Sequence, residues 1–230
     1  MADSGADSNY SKCREKIHAF QASLPGRVDP AAISHKAKIP FKALSLREAL
    51  FHRITELADS AIGFLASDGK AVSGFILTRA AYETMAMLFV LHSNIKSVVE
   101  AKAVGDFDEY IMTHTFGWRK KGDDSLPTMP NILKAIDKVD NFFDGHFRRE
   151  YEAISDYCHP NCAGVHSSYV KYNKDDIYAE IGSQFTNVET VHAAGTLLAN
   201  LEMFEYFYND ISTFMKDFID ICEAELDAKK

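Results

Sequence analysis

Residues 71–92 read AVSGFILTRAAYETMAMLFVLH. Apolar side chains fall all round a 3.6-residue wheel drawn through this stretch, so it predicts a helix buried on most faces. Its two formal charges, Arg79 and Glu83, stand four apart on one face. A helix of this kind cannot stand alone, and its neighbours supply the rest of a bundle. Upstream, Leu46, Leu50, Ile54, Leu57, Ala58, Ala61 and Leu65 form one stripe, with Ser45 as candidate N-cap and Glu48 three residues on. Ser67-Asp68-Gly69 separates the two helices.

Downstream, Asn94 restarts a shorter helix to about Val104, and another covers Phe107 to Thr113. Asn131 caps a helix carrying Ile132, Leu133, Ile136, Val139 and Phe143; the next, from about Phe147 to Tyr157, stops at His159-Pro160-Asn161. Val165, Ser167, Tyr169 and Lys171 then alternate with period two, as do Ile177, Ala179 and Ile181 beyond Asn173-Lys174-Asp175, which predicts a small hairpin near 165–182 packed on the helices. From Asn187 one apolar face, including Leu198, Leu201, Phe204, Ile211 and Phe218, runs unbroken by proline. It predicts a long C-terminal helix whose apolar side is either core or a dimer face.

Helices with one inserted hairpin predict an all-α, up-and-down helical bundle rather than an alternating α/β fold. The expected organisation is an N-terminal tip and short helix over 1–24, a linker or strap over 25–41, and one helical domain over 42–230. With 47% hydrophobic residues the chain is globular, and 25 Lys and Arg against 33 Asp and Glu give a net charge of −8. That excludes a general nucleic-acid binder, leaving local basic segments at His35 to Lys42, Arg119 to Lys121 and Arg148-Arg149. Four cysteines in a chain opening on small, polar and acidic residues predict a cytoplasmic protein with reduced thiols. Arg79 and Glu83 in the middle of the longest apolar run argue against a membrane span.

Three constellations carry the chemistry. Arg79 and Glu83 form either a structural ion pair or part of a site. In Tyr151 to Asn161, Ser155 and His159 share a helix face and Asp156 lies three residues from His159; free carbonyls at the helix end favour an imidazolium there, suited to acid or base work. The basic loop Trp118, Arg119, Lys120 and Lys121 has the composition to stack on and neutralise RNA or a nucleotide, with Asn161 as a further substrate contact. Cys158, His159, Cys162 and His166 are the residues a zinc ion would need, but they form one cluster rather than two separated pairs, and neither metal nor cofactor is expected. Arg47 and His52, with four residues between them, repeat a spacing used by helical ribonucleases.

The stretches Thr78-Arg79-Ala80-Ala81-Tyr82-Glu83-Thr84 and Ser155-Asp156-Tyr157-Cys158-His159-Pro160-Asn161 together resemble uncharacterised bacterial helical proteins distantly similar to the HEPN superfamily. The resemblance covers roughly residues 42–222. It implies a helical core of four to five helices, frequent dimerisation and, in active members, metal-independent RNA cleavage in defence or toxin–antitoxin systems. Active members place an arginine four to six residues before the histidine; here Ser155 stands four before His159. Two functions follow. One is a non-catalytic binding or assembly module, acting as a homodimer. The other is an endoribonuclease in which His159 is acid or base, Arg79 stabilises phosphate charge, Glu83 orients Arg79, and the Trp118 loop holds substrate.

Overall fold

The computed structural model describes residues 4–67, 69–117, 127–128, 130–173, 175 and 177–228. The chain is all-α with one small hairpin. Its elements are α1 (Ser4–Ser23), α2 (Pro30–Ile33), α3 (Lys38–Leu65), α4 (Ala71–Ala101), α5 (Phe107–Phe116), α6 (Ile132–Phe142), α7 (His146–Cys158), a π-helical turn (Cys162–Ser167), β1 (Val170–Asn173), β2 (Tyr178–Ile181) and α8 (Asn187–Ala228). Contacts divide it into two compact units. The first takes the chain up to Ser23, Arg53–Thr84 and Asp140–Glu202; the second takes Leu24–His52, Met85–Val139 and the chain from Met203.

In the first unit Cys13 and Ile17 of α1, Ile54 and Ala61 of α3, Phe75 and Tyr82 of α4, Ile154 of α7 and Leu197 of α8 are all buried. Phe75 stacks on Tyr157 at 4.7 Å between ring centroids, and Phe185 closes the group at 5.3 Å from Phe75. In the second unit Phe89 and Phe207 meet edge to face at 4.9 Å, and Phe107 meets Phe218 at 5.0 Å. Aromatic pairs of this geometry add about 1 kcal/mol each beyond the area they bury. The segment between α1 and α3 is fastened inside the second unit. Asp29 caps α2 by accepting the Ala31 N–H at 3.0 Å, Ser34 donates to Glu223 at 2.6 Å, and Lys36 pairs with Asp227 at 3.1 Å.

Several sequence expectations are corrected. Helix α3 begins at Lys38, so Ser45 lies inside it and caps nothing; Pro40 sits in the first turn, where a missing N–H costs no bond. Helix α4 does not restart at Asn94. The Asn94 amide donates to the Val90 carbonyl one turn back at 2.7 Å, so its competing hydrogen bond is made within the helix. This helix is long and apolar enough to cross a membrane, and 67% of its apolar window is buried inside the protein, as in a core helix.

Helix α8 is continuous over 42 residues and opens on a capping box. Glu189 accepts from the Thr186 backbone and hydroxyl, while the Thr186 hydroxyl accepts the Val188 N–H at 3.2 Å. Its apolar side chains Leu201, Phe204, Ile211 and Phe218 are wholly buried within the chain, which removes that side as a dimer face.

The alternating residues 165–169 are not a strand. Asn161 caps the π-helical turn by accepting the Gly164 N–H at 2.8 Å, and Ser168 donates to the Ala163 carbonyl at 2.6 Å. Gly164 lies so close under the His159 carbonyl that an added Cβ would stand 2.0 Å from that oxygen. Strands β1 and β2 pair antiparallel, Val170 with Ile181, Lys171 with Glu180, Tyr172 with Ala179 and Asn173 with Tyr178. The hairpin is not packed on the helices as expected, since β2 is exposed along its whole length.

Candidate functional site

Arg79 and Glu83 lie in the first unit and meet. Their side chains, 28% and 27% exposed, approach to 3.4 Å as an i,i+4 pair on α4. The group that organises them is Tyr151 of α7. Arg79 donates from Nε and Nη2 to the Tyr151 hydroxyl at 3.1 and 3.0 Å, and that hydroxyl donates to Glu83 Oε1 at 2.9 Å. The guanidinium also lies 5.3 Å from the centre of the Tyr151 ring. Three groups thus close a circuit in which each donor faces an acceptor.

The electrostatics follow the same contacts. Partial burial works against the charge on Arg79, but Tyr151, Glu83 and the Cys158 thiol together raise its pKa. Burial raises the Tyr151 pKa, helped by Glu83 and opposed by Arg79, so the hydroxyl keeps its proton. Burial also pushes Cys158 up to about 11, Arg79 pulling the other way. A neutral thiol is a poor nucleophile and a poor metal ligand.

The remaining candidates do not join this circuit. Ser155 lies one turn beyond Tyr151 and spends its hydroxyl on the Tyr151 carbonyl at 2.7 Å. Asp156 lines a cleft of about 280 Å³ with Tyr157, Glu189 and His192, on another face of α7. His159 is the C-cap of α7, with extended backbone and an exposed side chain, and among the described residues it makes no hydrogen bond or ion pair with Arg79, Glu83 or Tyr151. Its carbonyl accepts the Asn161 N–H at 2.8 Å. Asn161 itself serves as the cap of the π-helical turn. Trp118, Arg119, Lys120 and Lys121 lie outside the described residues.

Among the described residues no group of three or more His, Cys, Asp and Glu is placed to hold a metal ion. Cys158 donates to the Ile154 carbonyl, and His166 bonds the Tyr172 hydroxyl at 2.9 Å. The Arg47 and His52 spacing does not build a site either. His52 bonds the Pro25 carbonyl at 2.9 Å, whereas Arg47 is buried over the Tyr208 ring at 3.7 Å. Five residues along a helix turn two side chains about 140° apart.

No family model, curated protein or solved structure matches the chain. The geometry therefore stands by itself, and it contains a feature absent from the sequence expectations. In the second unit Arg47 lies over Tyr208, Tyr208 donates to Glu48 at 2.6 Å, and Arg47 donates to Ser212 at 3.0 Å. In both units an arginine and a glutamate on one helix enclose a tyrosine on another, and a serine stands four residues beyond the tyrosine. The sequence signal was the repeated Tyr-x-x-x-Ser at Tyr151/Ser155 and Tyr208/Ser212. Burial and Glu48 raise the Tyr208 pKa, as burial does for Tyr151.

In the two basic segments that lie among the described residues, several cations have acidic neighbours. Lys36 pairs with Asp227, Lys42 with Asp108 at 2.8 Å, Arg148 with Glu152 at 2.7 Å and Arg149 with Glu150 at 3.4 Å. The segment around Lys36 and Lys42 belongs to the second unit and Arg148-Arg149 to the first.

Proposed function

We propose that the chain is a cytoplasmic, non-catalytic binding and assembly module, related to the HEPN superfamily in fold and not in chemistry. The observation that carries this reading is the closed Arg79–Tyr151–Glu83 circuit. A phosphate-stabilising arginine turns its donors toward substrate; Nε and Nη2 of Arg79 are instead turned to Tyr151 and Glu83, and His159 makes no hydrogen bond or ion pair with these three residues. A structural role accounts for every one of these bonds, because an arginine and a glutamate at the surface of a core helix must be compensated before that helix can pack. The acidic neighbours of Lys36, Lys42, Arg148 and Arg149 further support a protein partner over RNA.

The test is cleavage of total RNA by the purified protein beside His159→Ala and Arg79→Ala. No cleavage by any of the three is expected. Cleavage by the parent chain that both substitutions abolish would overturn the reading in favour of a metal-independent endoribonuclease.

A further inference from the structure

Among the described residues of the first unit, the hairpin turns several apolar side chains to solvent together. The pairing places Val170, Tyr172, Ala179 and Ile181 on one face and Lys171, Glu180, Asn173 and Tyr178 on the other. The polar face is internally satisfied: Lys171 pairs with Glu180 at 3.9 Å and the Asn173 amide donates to the Tyr178 hydroxyl at 3.1 Å. Among the described residues the apolar face is largely open, with Tyr172 61% and Ile181 76% exposed, although Val170 is half-buried and the Tyr172 ring lies beside His166. Two strands without a covered apolar face are marginal in water; three or more are needed for independent stability.

The turn adds a second signal. Ile177 takes φ +57° and is 91% exposed. A β-branched residue in the left-handed region is strained, and glycine would serve the turn better. An isoleucine there gains little burial among the described residues. Beside it a cleft of about 430 Å³ is lined by Tyr172, Asn173, Ile177, Tyr178 and Ala179.

Resting on the assembly reading above, we infer that the free edge of β2 pairs antiparallel with β2 of a second copy about a two-fold axis at Ala179, extending the sheet from two strands to four. Backbone phase limits the registers and charge selects this one. The Gly182 N–H to Tyr169 carbonyl bond at 3.0 Å sets the ladder so that Tyr178 and Glu180 turn their backbone groups toward β1, leaving those of Ala179 and Ile181 for the outer edge. With the axis at Ala179, Ala179 exchanges the new bonds with Ala179 of the second copy, and Ile181 comes to lie opposite its Ile177. Ile181 thereby enters the cleft beside Ile177.

On the polar face Glu180 falls opposite Tyr178 of the second copy. That hydroxyl accepts from Asn173 and keeps its own proton to donate. Each row then reads Lys171, Glu180, tyrosine, asparagine, with no like charges opposed. The other register that keeps the apolar faces on one side has its axis at Glu180; it makes Glu180 and Glu180 of the second copy a directly opposed pair, setting two carboxylates against each other.

Sedimentation equilibrium of the full chain up to about 100 μM tests this by mass action. A dimer is expected. Each substitution counts twice across the axis, so Tyr178→Glu should weaken association about tenfold or more and Tyr178→Lys should tighten it, with unchanged helical circular dichroism in both. Ile177→Gly should leave the fold as stable or more stable, by relieving the strained φ, and still weaken the dimer. A monomeric parent chain overturns the inference and leaves the edge to a different protein. A dimer indifferent to all three substitutions places the interface elsewhere and also overturns it. Neither outcome touches the non-catalytic reading, which falls only on RNA cleavage.

Discussion

Tyr151 does for Arg79 and Glu83 what neither does for the other. At 3.4 Å the direct ion pair is loose, and with more than a quarter of each side chain in water its worth alone is below about 1 kcal/mol. The hydroxyl between them accepts twice and donates once, and hydrogen bonds to charged groups are the stronger class. Tyr151→Phe keeps the ring over the guanidinium and removes only this bridge. It should cost about 1–3 kcal/mol in urea denaturation, while Tyr206→Phe, at a solvent-exposed ring, should cost nothing measurable. Equal effects at the two positions would show that the circuit contributes nothing to stability.

At the scale of elements, the turn after α7 is the most constrained join in the first unit. Gly164 has no room for a side chain: a Cβ would stand 2.0 Å from the His159 carbonyl oxygen and 2.9 Å from that of Tyr157. Backbone atoms cannot swing away as a flexible side chain can. Gly164→Ala should therefore destabilise by about 1–3 kcal/mol through forced backbone movement, and should loosen the hairpin that follows. Amide exchange across β1 and β2 reads the second effect; unchanged protection there would separate the turn from the hairpin.

The same join shows where sequence reading stops. Helices announced by a cap or a stripe, such as Asn131 before Ile132 or the apolar face that runs on from Asn187, were legible because capping and period are local. The Arg79–Glu83 pair was legible for the same reason. Ser45 carried the right spacing to Glu48 and still caps nothing, since a proline in the first turn let the helix start at Lys38. Residues 165–169 alternate like a strand, yet the Asn161 cap and the absence of a side chain at Gly164 let the chain wind into a π-helical turn over Cys162–Ser167. The role of Tyr151 has no local signal, because its partners Arg79 and Glu83 lie 72 and 68 residues upstream, a distance no periodicity spans. The same holds for Tyr208 and Glu48, 160 residues apart.

For the molecule as a whole, burial has been applied repeatedly to groups that are neutral at pH 7 and charged in alkali. Burial raises the thiols of Cys13 and Cys222 to about 12 and that of Cys158 to about 11, from an ordinary 9.0. It raises Tyr82, Tyr110 and Tyr208 as well, from an ordinary 10.0. In each case the folded chain holds its proton more tightly than the unfolded chain. Above pH 9 the unfolded state therefore releases protons first, and stability declines as pH rises, by up to about 1.4 kcal/mol per pH unit for each group in its titration window. The contribution is fully present below pH 9 and is lost as pH climbs toward 11 and 12. A net charge of −8 works in the same direction, because every ionisation adds to self-repulsion. Urea midpoints measured from pH 7 to pH 11 should stay level to about pH 9 and then fall. Cys13→Ala should flatten part of that fall at some cost to stability at pH 7, since it removes one titrating group from the core. A midpoint unchanged at pH 11 would mean that these thiols and phenols ionise alike in both states, and that their burial does not govern the alkaline limit of the fold.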